Sequence, residues 1–280
     1  MRPIHLFSVD VEEHFQVSAF DRVLPRSAWE SQPSRVERNT DLLLDLLARH
    51  GATATFFTLG WVADRCPQLV RRIVAAGHEI GSHTWWHLRI SSLTTDQFRE
   101  EIRSSKRVLE DAGGAAVRGF RAPSFSVRPG MEWVFDVLLE EGYRYDSSLF
   151  PIRRPDYGYP PAPPRPHQIQ RQAGTMLELP LATTEWLGLR IPAAGGGYLR
   201  HLPPALMDRA LREHEMRGIP AMLYIHPWEV DPEQPRLPVG FVTRFRHYRG
   251  LEHTAARLER LLAAHRFVSV ERWLAAGNPT

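Results

Sequence analysis

Phe7-Ser8-Val9-Asp10-Val11-Glu12-Glu13-His14-Phe15 follows a short apolar run, Pro3-Ile4-His5-Leu6. Together they read as a buried strand over residues 4–9 that ends in a cluster of acids. A strand alternates faces with a period of two. Continued to residue 12, it points Asp10 and Glu12 one way and sends Val9 and Val11 into packing. Two carboxylates side by side repel. The stretch is therefore either a solvated acidic loop or half of a site whose positive partner lies elsewhere in the chain.

Outward from this strand, the chain alternates. Val36, Leu42, Leu43, Leu46 and Leu47 fall at helical spacing across 34–50, and Gly51 closes that helix. Residues 54–59 read as the next strand, and 67–76 as a helix capped by Gly77. A strand at 79–83, a helix from Thr94 or Thr95 to Leu109, a strand at 119–121, a helix over 131–141 and a strand beginning at Tyr143 follow. Residues 11–33, with Pro25, Pro33 and several aromatics, read as irregular. This alternation predicts an α/β fold with a parallel sheet or barrel.

Seven prolines between Pro151 and Pro166 mark an irregular excursion. Beyond it lie a strand at 175–181, a Gly195-Gly196-Gly197 turn within 193–198 and a helix over 203–217. A strand at 221–226, a helix over 251–265, a last strand at 267–270 and a frayed tail complete the chain. No separable linker interrupts it. Residues 1–280 are expected to form one unit, with 1–150 as its first half and 151–280 completing it.

Composition excludes several classes. The 280 residues are 43% hydrophobic and 24% charged, ordinary for a globular chain with a substantial core. The net charge is 35 − 32 = +3, and the arginines are dispersed rather than gathered in a block, so no nucleic-acid partner is expected. Cys66 is the only cysteine, which excludes an internal disulfide framework and fits a reducing compartment. No signal-peptide pattern and no run of about 18 apolar residues is present. The default expectation is a cytoplasmic protein with no membrane span.

Four further stretches bear on chemistry. In His83-Thr84-Trp85-Trp86-His87 the histidines are four apart, which on a helical turn places both imidazoles on one face. Two histidines and a carboxylate with open positions form a hydrolytic metal site, and the acidic strand end supplies the carboxylate. His78 reads as part of a helix cap. Arg121, before Pro123, sits at a strand end where its guanidinium is able to pair with a site carboxylate. His226, closing Tyr224-Ile225-His226, ends an apolar strand, a catalytic position on the carboxyl face of a barrel. Glu178, inside an apolar strand, reads either as a partner behind the site or as a paired structural acid, the structural reading being favoured.

In this order, Ser8-Val9-Asp10-Val11-Glu12, His83-Thr84-Trp85-Trp86-His87, Arg121-Ala122-Pro123-Ser124-Phe125 and Tyr224-Ile225-His226 resemble the polysaccharide deacetylases of carbohydrate esterase family 4, which share the NodB homology domain. Residues 9–18, the Gly195-Gly196-Gly197-Tyr198 turn and Arg246-His247-Tyr248-Arg249 further resemble the subgroup found with exosortase (PEP-CTERM) exopolysaccharide loci. The resemblance implies a distorted (β/α) barrel of about seven strands and a divalent metal, usually zinc, with cobalt, nickel and manganese also suited to the ligands. It implies removal of an N-acetyl group from an amino sugar of a polysaccharide or oligosaccharide, alongside an envelope polysaccharide export system. It assigns Asp10 as general base, Glu12, His83 and His87 as metal ligands, Arg121 as the partner of Asp10 and His226 as general acid. Pro123, Phe125, Tyr224 and Trp228 are the implied substrate contacts. The family's usual paired Asp is here Asp10 and a Glu two residues on. That leaves Glu12 and Glu13 as rival ligands, with period two favouring Glu12 and Glu13 expected to be solvated. Two other functions fit the same residues: an amidohydrolase of a small cyclic amide or ureide, and a glycan-binding module without turnover.

Overall fold

A computed structural model of the chain describes residues 4–277. Pro3 of the opening apolar run and the last three residues of the expected tail lie outside the described residues. The first half contains β1 (His5–Val11), α1 (Val36–Arg49), β2 (Thr55–Thr58), α2 (Gly60–Arg65), α3 (Pro67–Ala75), β3 (Glu79–Ser82), α4 (Thr95–Gly113), β4 (Gly119–Phe120), α5 (Trp133–Glu140) and β5 (Tyr145–Asp146). The second half contains β6 (His167–Arg171), β7 (Gly174–Glu178), β8 (Thr183–Trp186), β9 (Leu189–Pro192), α6 (Gly197–His201), α7 (Pro204–Met216) and β10 (Met222–Ile225). It ends with α8 (Phe241–Tyr248), α9 (Leu251–Ala264), β11 (Phe267–Val268) and α10 (Val270–Ala275).

Seven strands run parallel in the order β10-β1-β2-β3-β4-β5-β7. A parallel bridge from Leu181 to Met222 joins the chain beyond β7 back to β10 and closes the ring. The expected distorted barrel of about seven strands is what forms. β6 adds antiparallel to β7, β11 pairs the start of β1, and β8 and β9 make a separate hairpin. All of β1 is buried, so both of its faces meet protein, as a strand inside a closed parallel barrel must.

The long periodic elements fall where their spacing puts them. α4 is entered through a reciprocal capping box of Thr94 and Gln97. Elements too short to show a period were not expected: α2, β6, β8, β9, α6, α8 and α10. The glycine turn has a steric cause. Gly195 has φ 113°, and a Cβ there would lie 1.9 Å from the Tyr224 carbonyl oxygen, so only glycine lets this segment cross β10.

Candidate active site

Parallel strands bring their carboxyl ends to one rim, where sites of such barrels gather. Asp10 and Glu12 lie at the end of β1, His83 follows β3, Arg121 follows β4 and His226 follows β10. Four stretches far apart in sequence therefore converge because their strands are neighbours. They border a cleft of about 310 Å³ that includes Asp10, Glu12, His83, His87, Phe125, Tyr224, His226 and Trp228.

Glu12, His83 and His87 are all buried, and each offers a ligand atom within 4.8 Å of the others. Glu12 Oε2 lies 2.8 Å from His87 Nε2. Neither that oxygen nor His87 Nδ1 has a further hydrogen-bond partner among the described residues. His83 Nδ1 lies 2.7 Å from the Arg121 carbonyl oxygen, which only accepts, so Nδ1 carries the proton and Nε2 the lone pair. Burial keeps the His83 imidazole neutral, pushed down to about 4. Burial opposes ionisation of Glu12, but His87 and His226 hold its carboxyl well below the usual range. One anionic oxygen and two imidazoles, with orphaned buried polar atoms among them, fit a divalent transition metal.

The histidines meet for a different reason from the one their spacing suggested. Residues 83–87 form no helix. Thr84 and His87 take φ of 66° and 56°, folding the loop so that the rings face each other with centroids 5.4 Å apart. Glu101 Oε2 holds this loop by accepting from the amides of Trp85 and Trp86, each at 3.0 Å. His78 stands apart and accepts from the Ala54 amide, a structural role.

Glu13 is not solvated. It is buried, and its carboxylate accepts from Ser34 Oγ and from the Arg35 amide at 3.1 and 3.0 Å, at the entrance to α1. It is committed to the backbone on the side away from the histidine pair, whereas Glu12 faces them.

Arg121 is completely buried and donates from Nη1 to Asp10 Oδ1 at 2.7 Å and to Ser8 Oγ at 2.6 Å. Nε and Nη2 donate to the carbonyl and hydroxyl oxygens of Ser147 at 3.0 and 2.8 Å. The guanidinium lies over the Phe57 ring at 4.3 Å. Below it, Asp146 and Glu178 form a buried acid pair, and burial together with Asp146 pushes Glu178 well above the carboxylate range.

His226 Nδ1 is 2.7 Å from Glu229 Oε1, and Glu229 Oε2 is 2.7 Å from Arg200 Nε. Burial opposes a charge on His226, but Glu12 and the Glu229 hydrogen bond outweigh it and raise the imidazole to about 9. Burial likewise opposes ionised Glu229, which Arg200 and His226 bring down to about 2. The Arg200–Glu229 pair was not expected. Glu229, three residues after His226, was the visible half of the signal, and Arg200 carries no local one.

Trp228 does more than wall the cleft. Its Nε1 donates to Glu12 Oε1 at 3.0 Å, and its ring stacks between His226 and His247, with centroids at 4.9 and 4.3 Å. Phe125 and Tyr224 meet edge to face at 4.9 Å on the cleft wall. Pro123 is buried and does not line the cleft. It starts the tight turn in which Ser124 and Phe125 take φ of 54° and 49°, so it shapes the wall without touching the cavity.

The parallel barrel thus carries a His-His-Glu donor set beside an Asp–Arg pair on one rim. Residues 20–136 match the family model for polysaccharide deacetylases, and residues 147–275 match a domain of unknown function, DUF3473. A peptidoglycan-N-acetylglucosamine deacetylase of Bacillus cereus is 37% identical over 84 residues, 30% of this chain and 30% of that protein. A chitooligosaccharide deacetylase of Sinorhizobium fredii is 40% identical over 85 residues, 30% of this chain and 40% of that one. The chain thus spans well under half the length of these curated relatives. A crystal structure of a Mycobacterium smegmatis protein proposed to be a polysaccharide deacetylase superposes with a TM-score of 0.65 at 20% identity, covering 99% of this chain and 93% of that one, and shows the same fold. Residues 20–136 are thus similar to the polysaccharide deacetylases, and the chain shares the fold of the Mycobacterium smegmatis protein.

Proposed function

We propose that the chain is a metal-dependent hydrolase that removes N-acetyl groups from the amino sugars of an exopolysaccharide. The observation that carries this reading is the buried Glu12-His83-His87 donor set beside the Asp10–Arg121 pair and His226 on one rim. We read residues 1–280 as one catalytic unit, because β10 of the second half pairs with β1 and supplies His226.

Glu12, His83 and His87 would hold a divalent cation, which when bound would supply a Lewis acid and lower the pKa of water from about 15.7 toward about 7. Asp10, fixed by Arg121, takes a proton from the water that attacks the acetyl carbonyl carbon. His226 gives a proton to the amide nitrogen as the C–N bond breaks, releasing acetate and a free amine. Glu229 fixes the imidazole by its bond to Nδ1, so that the proton leaves from Nε2. Glu12 and Glu229 together hold His226 in the protonated form from which it donates. Phe125 and Tyr224 form the apolar wall against which an acetyl methyl fits.

The test is acetate release from N-acetylglucosamine oligomers by the metal-loaded and the chelated protein. Release that stops on chelation and returns with zinc, cobalt, nickel or manganese is expected. Preferred hydrolysis of small cyclic amides or ureides would reassign the substrate. Glycan binding with no turnover at any metal loading would overturn the enzymatic reading.

A further inference from the structure

Residues 235–249, Pro-Arg-Leu-Pro-Val-Gly-Phe-Val-Thr-Arg-Phe-Arg-His-Tyr-Arg, contain four arginines and no acid. Arg236, Arg244, Arg246 and Arg249 are all exposed, and none forms an ion pair among the described residues. Between them α8 holds three large apolar side chains in solvent: Phe241 is 80% exposed, Val242 62% and Phe245 44%. Arg249 lies over the exposed Phe245 ring at 4.7 Å, so a cationic head and an aromatic body share one surface, and Arg236 packs over the buried Tyr248 ring at 5.4 Å.

The same helix borders the site. Thr243, Arg246 and His247 line the cleft that holds Asp10 and His226. One side of α8 is therefore a wall of the cleft, while Phe241 and Val242 stand in solvent and Phe245, stacked on His201 at 6.0 Å, remains 44% exposed.

We propose that α8 and the segment before it form a docking surface for an anionic lipid bilayer, which seats the cleft mouth at headgroup level. Charge complementarity decides the partner. Exposed apolar side chains interleaved with unpaired arginines match an interface that is apolar inside and anionic outside. A soluble acidic glycan would satisfy the arginines, but it offers nothing to Val242, which has no ring for a sugar to stack on. Lipid docking does not depend on the enzymatic reading. The corollary does rest on it: the acetylated glycan is met at a membrane surface.

The experiment is co-sedimentation of the full chain with vesicles of phosphatidylcholine alone and of phosphatidylcholine mixed with phosphatidylglycerol, at low and high salt. The expected result is binding to the anionic vesicles that weakens with salt. Arg236→Gln/Arg244→Gln is expected to lower partitioning by roughly fivefold per arginine removed. Phe241→Ser/Val242→Ser, at positions too exposed to threaten folding, is expected to lower it at least about tenfold. Circular dichroism and acetate release from a soluble oligomer should stay unchanged in both variants. Equal binding to neutral and anionic vesicles, or equal binding by wild type and variants, overturns the proposal. So does capture of a soluble acidic oligosaccharide with no vesicle binding, which would assign the face to glycan. Lost acetate release in wild type with intact vesicle binding strikes the enzymatic reading alone.

Discussion

Arg121 Nη1 lies 2.7 Å from Asp10 Oδ1 with the arginine fully buried and the aspartate 2% exposed. Every other donor of that guanidinium in contact goes to Ser8 or Ser147. The pair is thus dry and geometrically constrained. Removing one partner strands the other charge. Arg121→Met is expected to lower unfolding free energy by about 3–5 kcal/mol, read from urea unfolding, and to abolish acetate release. An undiminished midpoint would show that Asp10 does not depend on the pair.

Trp228 joins two parts of the site through a single N–H. Trp228→Phe keeps the stack between His226 and His247 but deletes the donor to Glu12 Oε1. Metal affinity is expected to fall about 10- to 100-fold, the usual cost of losing an outer partner of a ligand, with little change in the melting temperature. Competition with a metal-indicator dye measures it, and unchanged affinity would reduce Trp228 to packing.

His226 is charged below about 9 because Glu12 and Glu229 together outweigh its burial. Its protonated form is complete well below that pH and is lost as pH rises through it. Glu229→Gln removes one of the two carboxylates, so the loss should move to lower pH, toward the ordinary value near 6.5. Imidazole titration by NMR on the metal-free protein reads this directly, and an unmoved titration would remove Glu229 from the role of orienting the acid.

Two histidines far from the site predict an acid-side weakness. Burial holds His5 and His78 neutral, each down to about 4. Their folded values lie below the unfolded value near 6.5, so the stability they confer is complete above 6.5. It is lost as pH falls, because the unfolded chain binds the protons first. Between pH 6.5 and 5, above the range where most carboxylates titrate, urea midpoints should fall as the unfolding free energy drops by up to about 2 kcal/mol per histidine. A flat midpoint over that window would contradict it.

What was legible in the chain followed from period and from strand ends. β1, β2, β10, α1, α4, α7 and α9 announce themselves by apolar runs or helical spacing, and parallel strands then bring Asp10, His83, Arg121 and His226 to one rim. The His83–His87 pair was visible as a spacing, but the geometry behind it is a loop with left-handed residues, which spacing does not encode. Glu13 looked solvated because nothing near it in sequence shows that the start of α1 would need its oxygens. Arg200 reaches Glu229 across 29 residues, and α8 is too short and too arginine-rich to display a core face. These features depend on tertiary neighbours, and no local pattern carries them.

On the proposed reading, Glu12, His83 and His87 hold a metal while Asp10 and His226 move protons. Bound metal per chain and acetate release from an N-acetylglucosamine oligomer, measured on the same samples of wild type, Asp10→Asn, Glu13→Gln and His83→Ala, test it most directly. Asp10→Asn should keep about one metal and lose release, His83→Ala should lose both, and Glu13→Gln should keep metal. Full release from the metal-free protein, or metal retained by His83→Ala and lost from Glu13→Gln, would overturn these assignments.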